Sequence, residues 1–148
     1  MKNKNHEFWM KKALELAKKS YEENEVPVGA LIVKSGNIIG EGWNLMNLTN
    51  IATNHAEIIA INMASQKLGN WRLLDCEIYV TLEPCLMCVG AMNNCRIKKL
   101  IYGAKNNNFG AIDIIDPEIE VTSGVLQFEC SKLLSNFFKK IRKTEKIE

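Results

Sequence analysis

A short apolar run, Ile78-Tyr79-Val80-Thr81-Leu82, passes without a linker into Glu83-Pro84-Cys85-Leu86-Met87-Cys88. The run has the composition of a strand. Proline is pre-set for a first helical position, so the junction also predicts a helix over residues 85–94. Cys85 and Cys88 are three apart and share one face of such a helix. At a helix start the unbonded N–H groups and the dipole favour thiolate over thiol. A chain built on this junction must therefore bring some other element over a helix start that offers two ligand sulfurs.

Helix and strand patterns alternate around that junction. Residues 8–23 carry Met10, Ala13, Leu14, Ala17 and Tyr21 at the spacing of one buried helical stripe. Residues 26–33 are apolar and branched, and a turn at 34–37 leads to residues 38–44, which predicts a hairpin whose first strand is central. Residues 45–54 are polar and without period, a loop that delivers the chain to His55. Over residues 55–68 the apolar side chains wrap most of the cylinder, as in a helix buried on more than one side, and Gly69-Asn70 stops it. Residues 99–103 read as a strand, 104–111 as a loop and 118–121 as a last short strand. A terminal helix over 126–142 has Leu133, Leu134, Phe137, Phe138 and Ile141 on its apolar side. The alternation implies an α/β layered fold. With 148 residues the chain is the size of one ordinary domain, expected to span 1–148.

Composition narrows the functional classes. An apolar share of 47% and a charged share of 24% exclude a disordered or fibrous chain. No stretch approaches the roughly 18 to 20 apolar residues that span a bilayer, and the polar residues 1–6 precede no apolar signal core, so a cytosolic protein is expected. The net charge of +2 selects no partner by itself. Its distribution is uneven: Lys132, Lys139, Lys140, Arg142, Lys143 and Lys146 stand against Glu145 and Glu148 in the last eighteen residues, a candidate phosphate-facing patch near the C-terminus. The cysteines number five, and two form C-x-x-C, which in a reducing compartment indicates metal or redox work ahead of a disulfide framework.

His55-Ala56-Glu57 supplies the complement to the thiols. Neutral His55 with two thiolates gives a zinc ion three ligands of the usual type and leaves one position open, which marks a catalytic rather than a structural site. Zinc lowers the pKa of a bound water from about 15.7 to about 7, and a nearby carboxylate can then move the proton. Glu57 lies about 200° from His55 on a regular helix, so both face one site only if His55 sits at an irregular first turn. Two competing readings are a redox dithiol and a closed zinc knot. The knot needs a fourth ligand; Cys95 is too far along the helix, about 10 Å beyond Cys88, while Cys76 stays open. Otherwise Cys76, Cys95 and Cys130 read as small buried hydrophobes. His6 reads as solvated, and Asn44 taken alone as a turn residue at a strand end.

Together, His55-Ala56-Glu57 and Pro84-Cys85-Leu86-Met87-Cys88 resemble the signature of the zinc-dependent cytidine deaminase superfamily. Within it the chain is most similar to the bacterial tRNA adenosine deaminases, through Glu25-Val26-Pro27-Val28-Gly29-Ala30, Gly40-Glu41-Gly42-Trp43-Asn44, Leu68-Gly69-Asn70-Trp71-Arg72-Leu73, Tyr79-Val80-Thr81-Leu82-Glu83 and Arg96-Ile97. The resemblance covers nearly the whole chain. It implies a three-layer α/β/α fold with a mixed sheet of about five strands, a homodimer, one Zn²⁺ per subunit and hydrolytic conversion of the wobble adenosine of a tRNA anticodon to inosine. It also implies that His55, Cys85 and Cys88 ligate zinc, that Glu57 shuttles protons, and that Asn44, Ala56 and Val28 contact the substrate. Rival readings are a deaminase of free guanine, cytosine or a nucleoside, and a zinc-stabilised RNA-binding module without catalysis. Two loops depart from the family pattern: Asn106 stands where an aspartate is usual, and Met46 and Ala52 where prolines are common.

Overall fold

The computed structural model describes residues 2–147; Met1 and Glu148, and the side chains of residues 2–4, 146 and 147, lie outside the description, Lys146 of the basic patch among them. The order is α1 (Lys2–Glu22), β1 (Gly29–Lys34), β2 (Asn37–Trp43), α2 (Met46–Thr49), α3 (Ala56–Leu68), β3 (Cys76–Leu82), α4 (Leu86–Cys95), β4 (Lys99–Ala104), a 3₁₀ turn (Ile112–Ile114), β5 (Glu120–Thr122) and α5 (Gln127–Ile147). The strands form one mixed sheet in the order β2-β1-β3-β4-β5. β1 runs antiparallel to β2 and β3, whereas β3, β4 and β5 are parallel.

The period of two along the strands sorts side chains into two cores. Ala30, Ile32, Ile78, Val80, Leu100 and Tyr102 point to one face and pack with Ala56, Ala60 and Ala64 of α3 and Cys88 and Met92 of α4. Leu31, Val33, Tyr79 and Ile101 point to the other and meet Met10, Ala13 and Leu16 of α1 and Cys130 of α5. These are the three layers expected. The approach of α3 to the sheet is unusually close, because β2 presents glycines to it. A Cβ on Gly40 or Gly42 would collide with the carbonyl of Ala60 or Ala56 respectively. Glycine in strands often marks such a close approach.

Several expectations are corrected. β1 begins at Gly29, not Val26, since Pro27 has no N–H for a ladder and the Val28 N–H turns back to the Val26 carbonyl at 2.9 Å. β1 is interior, but the middle strand is β3. The supposed loop before His55 contains the single-turn helix α2. Pro84 does not occupy the first helical position; Cys85 is the residue before α4, with φ −78° and ψ 176°, and Pro84 precedes it. His6 is half-buried and its Nδ1 lies 2.9 Å from the Tyr79 hydroxyl. Cys76, Cys95 and Cys130 are buried free thiols, as read. No helix among the described residues is long and apolar enough to cross a membrane.

Candidate active site

The two ligand-bearing segments meet because both stop just short of regular helix. His55 is the N-cap of α3, with φ −75° and ψ 153°, and its carbonyl accepts the first helical bond from Ile59 at 3.1 Å. Cys85 caps α4 in the same way, its carbonyl accepting from Val89 at 2.9 Å. The extended backbone at His55 swings its ring out of helical phase, so Glu57 in the first turn shares its cleft. Two helix starts thus point their positive ends at one spot, where anionic ligands are favoured.

His55 Nδ1 lies 3.6 Å from the sulfur of Cys85 and 3.6 Å from that of Cys88. Tetrahedral zinc, with bonds of about 2.3 Å to sulfur and about 2.0 Å to nitrogen, holds such a pair about 3.6 Å apart. The donor set therefore fits the ion in type and in spacing. Of the described residues only these three form such a cluster, all within 4.8 Å of one another. Neither Cys76 nor Glu57 joins them, so among the described residues no fourth protein ligand closes the site. The Cys85 thiol falls to about 3, because the Cys88 thiol and the His55 ring hydrogen-bond to its sulfur. Cys88 correspondingly keeps its proton more tightly, through its bond to Cys85 and its burial. The bond to Cys85 also raises His55. Negative charge thus gathers on one sulfur, in a place where a cation would displace the remaining protons. Glu57 is 4% exposed, and burial raises its carboxyl above the usual range.

A cleft of about 640 Å³ opens over this group, a size suited to a nucleoside. Val28 and Asn44 line its floor with His55, Glu57 and Cys85; Lys105, Asn106, Asn107, Asn108 and Phe109 form one wall, and Leu134 and Phe138 of α5 another. Asn44 is more than a turn residue: its Oδ1 accepts the Ala56 N–H at 2.9 Å and its Nδ2 donates to the Val26 carbonyl at 3.0 Å. Ala56 differs from the rest of the expected set. It is fully buried, is absent from the cleft lining, and spends its N–H on Asn44. Two buried carboxylates that sequence reasoning missed hold the flanking loops. Glu25 accepts the Leu48 N–H at 2.7 Å, and Glu83 accepts from Asn106 and Ile112. Acidic residues are exposed by default, so nothing in a single sequence singles these out.

Residues 4–142 match the family described as MafB19-like deaminase. The tRNA-specific adenosine deaminase of Haemophilus influenzae is 48% identical over 96% of this chain and 88% of its own. A solved structure from a study of A-to-I editing by tRNA:A34 deaminases at the wobble position superposes with a TM-score of 0.77 at 37% identity, covering 82% of this chain and 94% of the other. A guanine deaminase structure from Nitrosomonas europaea gives 0.78 at 26% identity, over 86% and 81%. The chain is an enzyme of the deaminase family, and within it belongs with the tRNA-specific adenosine deaminases.

Proposed function

We propose that residues 1–148 form a single zinc-dependent deaminase domain that converts the wobble adenosine of a tRNA anticodon to inosine by hydrolysis. The observation that carries the reading is Glu57, a buried carboxylate beside a three-ligand cluster that it does not join. In this reading His55, Cys85 and Cys88 hold one Zn²⁺, which supplies the Lewis acidity that activates water. Glu57 would take a proton from the attacking water as its oxygen bonds to C6 of the adenine, and pass it to the amino group, which leaves as ammonia when the C6–N bond breaks. Asn44 and Val28 form the floor against which the base rests, and Ala56 acts through Asn44 by fixing its carboxamide. A single-stranded anticodon loop suits the cleft because its bases are already unstacked.

The tRNA reading rests on the 48% identity of a tRNA-specific adenosine deaminase over nearly the full chain. Lys139, Lys140 and Lys143 line a groove on α5 beyond Phe138, and in this reading they meet RNA phosphates. The homodimer is carried by the resemblance to the tRNA adenosine deaminases, and in this reading it covers Met63 of α3 and Leu86 of α4, which are 46% and 66% exposed. Five free cysteines and a tRNA substrate both suit the cytoplasm.

The deciding experiment compares inosine formation on an anticodon stem-loop bearing wobble adenosine with ammonia release from free adenosine, guanine and cytidine. The reading predicts turnover of the stem-loop far above the free compounds. Preferential turnover of guanine would replace it with the activity of the Nitrosomonas europaea relative, and a metal-loaded protein that turns over none would leave an RNA-binding module.

A further inference from the structure

Glu83 is 4% exposed, takes no part in the metal cluster and forms no ion pair among the described residues. Its two oxygens are divided between two main-chain donors. Oε1 accepts the Asn106 N–H at 3.2 Å and Oε2 the Ile112 N–H at 3.4 Å. The first amide lies within residues 105–109, which face the cleft, and the second three residues beyond them. The strip of Glu83, Pro84 and Cys85 also ties down both ends of that segment. The Glu83 N–H donates to the Ala104 carbonyl at 2.8 Å, the Ala111 N–H donates to the Pro84 carbonyl at 3.0 Å, and Cys85 bridges to Gly110. Gly110 stands where space is least: a Cβ there would collide with the Glu83 carboxylate. One cleft wall and one metal ligand therefore hang from a single three-residue strip.

We propose that Glu83 is a positioning residue for the deamination, holding residues 105–109 as a preformed substrate-facing wall at a fixed place relative to Cys85. The substrate side of this inference rests on the tRNA reading above. A loop ordered before binding spares the substrate the cost of ordering it, so the effect falls on binding. The group must accept on both oxygens. Glutamine has nearly the same shape but offers one oxygen and one N–H₂, so it sets a donor against one of the two amides.

The test compares wild type and Glu83→Gln as metal-loaded enzymes in three measurements: metal content, amide exchange across residues 105–112 without RNA, and kinetics on the stem-loop. In Glu83→Gln, exchange at Asn106 to Ile112 should rise about tenfold, the size of one lost hydrogen bond, and KM should rise by a similar factor. Metal content should stay at one per chain and kcat within about threefold. Glu83→Asp keeps both acceptors and the charge on a shorter stem, and should fall between the two; it also serves if Glu83→Gln does not fold. Unchanged exchange, faster exchange without a rise in KM, loss of metal, or a fall in kcat at constant KM would each overturn the proposal. If the wild type makes no inosine, the substrate reading fails, while the exchange comparison, which uses no RNA, still decides whether Glu83 clamps the wall.

Discussion

Asn44, the residue after β2, and Ala56 at the start of α3 are joined by a 2.9 Å bond from the Ala56 N–H to Oδ1 of Asn44. The bond holds the residue next to His55, and the opposite end of the same carboxamide holds Val26. Asn44→Ala leaves the Ala56 N–H, at a fully buried residue, without its partner, a loss of about 1–3 kcal/mol. Denaturant unfolding should show that loss, and a chelator should strip metal faster than from wild type. Asn44→Asp keeps the acceptor for Ala56 but loses the donor to Val26, so it should retain metal better than the alanine variant. Equal metal retention in all three proteins would contradict this account of Asn44.

Glycines on two elements should respond with opposite sign. Gly42→Ala forces a methyl against the Ala56 carbonyl, lifting α3 off the sheet, and should cost about 1–3 kcal/mol. Gly90, inside α4, has nothing within 4 Å of an added Cβ. Gly90→Ala should stabilise by about 0.5–1 kcal/mol, the ordinary cost of glycine in a helix. Urea midpoints for the two variants measure both effects.

The cluster of His55, Cys85 and Cys88 was legible because motifs carry it: C-x-x-C at a helix start, with an imidazole from another segment. The irregular first turn that His55 and Glu57 need was also legible, since two positions on a regular helix cannot face one site. What stayed hidden depends on contacts distant in sequence. His6 meets Tyr79 only because α1 crosses β3, and Glu25 and Glu83 are buried only because loops fold over them. The single turn of α2 has no period to read, and its Asn-rich surroundings suggest a loop. Gly40 and Gly42 read only as members of the second hairpin strand; that a Cβ on either would strike the backbone of α3 depends on a helix distant in sequence.

Alkaline pH should destabilise the fold through its buried thiols. Burial pushes Cys130 from 9.0 up to about 12 and Cys95 up to about 11. Because the folded values lie above the ordinary one, the contribution is complete below pH 9.0 and is lost as pH rises toward the folded values. Each thiol removes about 1.4 kcal/mol per pH unit within its window. Unfolding free energies of wild type and Cys130→Ala between pH 8 and pH 11 should diverge, the variant falling less steeply by about one thiol's share. Parallel curves would show that Cys130 is not protected in the fold.

The division of labour between ligands and proton shuttle is tested most directly by Glu57→Gln, assayed for bound metal and for inosine at the wobble position of a tRNA. Glu57 is buried in the cleft but lies outside the three-ligand cluster. Wild type and variant should each bind one metal per chain, while the variant's rate of inosine formation falls by about a thousandfold, the scale of a lost general acid and base. A variant that keeps the wild-type rate, or one that loses the metal together with the activity, would contradict the account.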